Sequence, residues 1–96
     1  MNKFSFEEGI PGSEFLNKGL SDLKASVLSE ESLLVLIGRD SFQRAGYDVP
    51  ELIIDAFPEH KLYNLLGQRL GNGAHSAYNA LIRRLVSAER IVKQLS

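Results

Sequence analysis

Apolar residues along this chain recur mostly at spacings of three and four, the period of a helix with one buried face. Phe15, Leu16, Leu20, Leu23, Val27 and Leu28 share such a face, and Ser13 just before them can cap the start of a helix. Gly19 lies inside this stretch and costs about 1 kcal/mol relative to alanine. The run Leu33-Leu34-Val35-Leu36-Ile37 is too short for its period to separate a buried strand from a buried helix. Its flanks, Ser29-Glu30-Glu31 before and Gly38 after, favour a short buried helix. Another short helical turn is expected at 41–45, closed by Gly46.

Asp48-Val49-Pro50-Glu51 predicts a further helix start, because proline at a first helical position loses no hydrogen bond. Leu52, Ile53, Ala56 and Phe57 would form its buried face, and Pro58 would stop it by disfavouring helical geometry at residue 57. The same proline can open the next helix, with Leu62, Leu65, Leu66 and Leu70 on its inner face and Gly71 at its end. The last helix carries the longest stripe: Ala77, Leu81, Leu85, Ala88, Val92 and Leu95, with Ser76 as its expected cap. Arg83, Arg84, Arg90 and Lys93 would project away from that stripe. No Asn-Gly or Asp-Gly dipeptide joins two alternating apolar runs, so hairpin signals are missing. The pattern predicts an all-α fold, a single compact domain of about five or six helices over 13–96, with its core concentrated in the last three. An extended arm over 1–12, punctuated by Gly9, Pro11 and Gly12, would precede it.

Composition narrows the function classes. At 96 residues the chain is expected to form one domain, and a hydrophobic fraction of 44% with 24% charged residues is ordinary for a globular one. There are no cysteines, which excludes disulfides and thiolate metal sites and fits a cytoplasmic protein. No run approaches the roughly 20 apolar residues that span a bilayer, so no membrane association is expected. MNKFSFEEGIPGS has no apolar core of the kind a secretory leader carries. The apolar content of 15–37 exceeds what one small core is expected to need, and a homodimer through that segment is expected.

The net charge of −1 conceals an asymmetry. Residues 1–56 hold five Lys/Arg and ten Asp/Glu (−5), whereas residues 57–96 hold six and two (+4). A split of this kind points to a nucleic-acid-facing or acidic-partner-facing end. It is equally compatible with two halves that attract one another, within the chain or across a dimer.

The stretch LLGQRLGNGAHSAYNALIRRL bears on that choice. Over 63–84 it resembles the helix-turn-helix of bacterial DNA-binding domains. Gly67 stands four residues before the turn glycine Gly71, where a small residue lets the second helix cross closely; Leu66 and Leu70 match apolar positions, and Ser76 and Leu81 match the opening and the core return of the second helix. The resemblance implies a non-enzymatic regulatory protein that binds duplex DNA. His75, Ser76, Tyr78 and Asn79 would lie at the reading end, with Asn79 suited to a bidentate contact with adenine. Arg69, Arg83, Arg84 and Lys93 would contact phosphates. Over 52–95, DAFPEHKLYNLLGQRLG and LIRRLVSAERIVKQL are similar to small effector-associated, death-like adaptor domains of bacterial conflict systems. That second resemblance implies a helical protein–protein module, an adaptor or inhibitor, whose basic C-terminal half faces an acidic partner.

Signatures of chemistry are sparse. His60 and His75 are the only histidines, and no cysteine or carboxylate pair completes a ligand set around them, so no metal or cofactor is expected. Gly67, Gly71 and Gly73 fit neither phosphate-binding glycine pattern. Glu7-Glu8 and Glu30-Glu31 are adjacent pairs that cannot oppose each other across a cleft, and no catalytic residue is assigned.

Overall fold

The computed structural model describes residues 3–54 and 56–95. Its elements run α1 (Ser13–Lys24), α2 (Glu30–Ile37), α3 (Arg39–Arg44), α4 (Pro58–Leu70), a 3-10 turn (Gly71–Gly73) and α5 (Ala74–Leu95), with no strand among the described residues. Helices α2 and α3 meet at Gly38 and form one bent unit. Helix α2 lies between α1 and α4, and α5 closes the bundle against α4 with lighter contacts to α3 and α2.

Helix α1 begins one residue earlier than its hydroxyl suggests. Gly12, at φ 73°, takes the capping position, so Ser13 is the first helical residue, is buried, and makes no side-chain cap. The helix also stops at Lys24 in a Schellman turn, with the Val27 N–H donating to the Asp22 carbonyl at 2.7 Å and the Ser26 N–H to that of Leu23 at 3.0 Å. Val27 and Leu28, expected on its inner face, therefore lie beyond it and are exposed.

Helix α2 starts where its sequence says it should. The Ser32 N–H donates to Ser29 Oγ at 3.0 Å and the Ser29 N–H donates back to Ser32 Oγ at 2.7 Å, a reciprocal capping box built from two serines. The Ser29 hydroxyl in turn donates to Asp22 Oδ2 at 2.6 Å, tying the start of α2 to the last turn of α1. Its apolar run is helical, with Leu33, Leu34 and Val35 almost fully buried.

Gly19 is the residue that lets these helices meet. A Cβ there would collide with the Glu31 carbonyl oxygen and stand 2.6 Å from Val35 Cγ2, far inside contact distance. Its helix-propensity cost thus accompanies a close approach that no other side chain permits. Gly71 has a different role: its φ of 57° ends α4 in a conformation that side chains resist.

The core does not sit chiefly in the last three helices. Among the described residues, twelve of eighteen buried core residues precede residue 50. Leu16, Leu20, Leu23, Leu33, Leu34 and Val35 of the 15–37 segment are buried inside the chain, while Val27 and Leu28 are exposed. The segment over 3–12 is non-helical and enters the same core through Phe6 and Ile10, at 3% and 2% exposure. Phe6 stacks on Tyr47 at 4.5 Å and meets Phe42 edge-on at 4.7 Å. Leu70 and Leu95, expected inside, are exposed at the ends of their helices.

The largest departure is over 50–57, where a helix was expected. The described residues there are non-helical, and Ile53, Ala56 and Phe57 are exposed rather than buried; Asp55 lies outside the described residues. Two prolines eight residues apart explain this. Pro58 opens α4 and holds Phe57 at an extended φ/ψ of −65°/139°, leaving too few residues to repay helix nucleation.

Candidate interaction surfaces

Helices α4 and α5 and the turn between them carry most of the expected site. Leu62 and Leu66 on α4, and Ala74, Leu85, Ala88 and Val92 on α5, bury the faces that join the pair. Helix α5 starts at Ala74, so Ser76 lies exposed within its first turn and is not its cap. The close crossing expected at Gly67 is absent, since an added Cβ would meet no atom within 4 Å.

The predicted contact residues do not form one face. Successive helical residues point about 100° apart, so Arg83 and Arg84 diverge. Arg83 is exposed on the side of α5 opposite its buried stripe. Arg84 lines a shallow groove with Glu8, Glu14, Glu31 and Lys18, the last paired with Glu31 at 3.3 Å. Arg69 is engaged across the bundle: its Nε and Nη2 donate to Glu30 Oε2 and Oε1 at 2.7 and 2.9 Å, a bidentate pair linking α4 to the start of α2. His75 Nε2 and Asn79 Nδ2 lie 3.3 Å apart, one helical turn from each other. Tyr78 is half-buried with its ring edge-on to Tyr63 at 5.6 Å, and burial pushes its phenol pKa up, helped by Glu59. Lys93 stands apart from these, on a groove between α3 and α5.

That groove is lined by Ser41, Arg44, Ala45, Val86, Arg90 and Lys93, with Glu89 at its side. Ala45 and the partly exposed Val86 give it an apolar floor, and three cations surround it. Arg44 carries no sequence motif. Only the packing of α3 on α5 brings it to Arg90 and Lys93.

A second surface is apolar. Ile53 is 91% exposed and Phe57 71% exposed, and a shallow depression lined by Leu28, Ile53, Ile54 and Lys61 lies beside them. Phe57 meets the His60 ring edge-on at 5.8 Å, which leaves most of its surface in water. Pro50 and Pro58 bracketing the segment are the sequence signal for an irregular loop here.

Among the described residues no three His, Cys, Asp or Glu side chains converge to hold a metal ion, and no helix is long and apolar enough to cross a membrane. Comparison with family models, with curated proteins and with solved structures finds no match to this chain.

Proposed function

We propose that this chain is a small non-enzymatic helical module that works by binding another protein. The observation that carries the reading is the exposure of Ile53 and Phe57, large apolar side chains held outside a well-packed core. Full burial of each would contribute about 1.5–3 kcal/mol, and only another molecule can supply it at this loop. Contiguous exposed apolar surface beside charged groups is a usual mark of protein interfaces. The basic groove of α3 and α5 suits an acidic surface on the partner, as an adaptor or inhibitor would present.

A pull-down with the wild-type chain and with Ile53→Ser/Phe57→Ser as baits tests the reading. The expected result is one or more proteins retained by the wild type and lost from the equally folded variant. Identical retained sets would overturn it.

A second reading, binding to duplex DNA, draws on Arg83, Arg90 and Lys93, which are exposed on α5. It is the weaker of the two, because Arg69 is already paired with Glu30 and Arg83 and Arg84 point in different directions on α5. Fluorescence anisotropy with labelled duplex at low salt tests it: phosphate-clamping proteins lose affinity steeply as salt rises, and Asn79→Ala should relax any sequence preference.

A further inference from the structure

Two surfaces of this molecule complement each other and share no residue. One is the loop over 48–59, with Ile53 and Phe57 exposed at its tip and Asp48, Glu51 and Glu59 exposed around them. No lysine or arginine occurs between Arg44 and Lys61, so the segment itself carries only acidic charges, with Lys61 beside Ile53 at its far end. The other is the groove between α3 and α5, apolar at Ala45 and Val86, with Arg44, Arg90 and Lys93 outnumbering the one acid, Glu89, around it. Apolar knob matches apolar floor, and acidic rim matches basic rim.

We infer that the loop over 48–59 of one copy docks into the α3–α5 groove of the next, so that the chain associates with itself head to tail. The inference rests on the protein-binding reading above and names the partner as a second copy. The geometry differs from a homodimer through 15–37, most of whose leucines are buried inside the protomer. Because each copy uses two different surfaces, an associated pair still presents one free loop on one copy and one free groove on the other. Such heterologous contacts build closed rings or open chains rather than stopping at a pair. The charged rims steer and orient the encounter, so association weakens as salt screens them.

Sedimentation velocity on the purified full chain, at rising concentration and low salt, reads this directly. The wild type is expected to exceed two protomer masses and to return towards one protomer in high salt. Ile53→Asp/Phe57→Asp removes the knob, and Arg90→Glu/Lys93→Glu removes the basic rim. All four positions are exposed, and circular dichroism checks that both variants keep the fold. Each variant alone is expected to remain a protomer at concentrations at least tenfold above those at which the wild type assembles. Mixed one to one, the two variants are expected to form a dimer and nothing larger, since one intact loop and one intact groove remain.

A wild type that stays a protomer throughout, a wild type that stops at a dimer, or a mixture that fails to pair would each overturn the proposal. So would duplex DNA occupying the groove of a wild-type protomer. If self-association fails while the pull-down still retains a protein that depends on Ile53 and Phe57, the second copy is excluded and the binding module stands. If both fail, both fall.

Discussion

The segments over 3–12 and 50–57 are similar in length, their described residues are non-helical, and each carries several large apolar side chains. One is anchored and the other projects. Phe6 and Ile10 are buried, while Ile53 and Phe57 are mostly in water. The anchored segment has partners for its backbone. The Phe6 N–H donates to Asn17 Oδ1 at 2.7 Å, and Asn17 Nδ2 donates back to the Phe6 carbonyl at 3.0 Å. The Lys3 N–H donates to the Gly46 carbonyl and the Asp48 N–H to that of Lys3, both at 2.7 Å, in a short parallel bridge. The Tyr47 hydroxyl adds a 2.5 Å bond to Glu7. On the other segment, the preceding Val49 is held by Arg39 and Gln43 donating to its carbonyl, and beyond it Leu52 and Ile54 touch the core only partly while Ile53 and Phe57 stand in water. Irregular backbone enters a core only where its polar groups are paired, and Asn17 meets that condition for Phe6.

Truncating the anchors should separate the two segments most widely. Phe6→Ala is expected to destabilise by about 3–5 kcal/mol in urea unfolding, whereas Phe57→Ala in dilute solution should stay within about 0.5 kcal/mol. Comparable losses at both positions would erase the distinction. Asn17→Ala leaves the Phe6 N–H and carbonyl without their partner and should cost about 1–3 kcal/mol, with faster amide exchange at Phe6. Limited thermolysin digestion of dilute protein should cut within 50–57 well before it cuts within 3–12, as expected of an exposed loop.

Acid should loosen the anchored segment alone, and by the least. The Tyr47 hydroxyl bonded to Glu7 holds that carboxyl below the usual carboxylate range, with Lys3 adding to the effect. A folded-state pKa below the unfolded one contributes stability at pH above the ordinary carboxylate value, and that contribution is lost as pH falls through the folded value. Urea midpoints should therefore drop less between pH 7 and pH 3 in Glu7→Gln than in the wild type. Because Glu7 is half-exposed, the difference is small.

Charge placement follows the same division between local and distant partners. Lys18 and Asp22 sit one turn apart on α1 and pair at 2.9 Å, an arrangement readable from spacing alone. Arg69 and Glu30 lie 39 residues apart, and nothing in the sequence joins them. The same holds for Arg44 with Arg90 and Lys93. Assigning phosphate contacts to cations of α4 and α5 from the sequence therefore included Arg69, which pairs with Glu30 of the chain itself, and left out Arg44.

What the sequence by itself determined is local. The helical nature of the 33–37 run followed from Ser29 and Gly38, the limits of α4 from Pro58 and Gly71, and the buried stripe of α5 from its period. Caps, prolines and helical faces act within about one turn, so their signals lie side by side in the chain. Only the tertiary structure decided that Gly19 is a contact point, that Phe6 and Ile10 join the core, and that Arg69 pairs with Glu30. Each of those outcomes depends on which distant element arrives to cover an apolar face or pair a polar group, and no spacing within a single helix encodes that meeting.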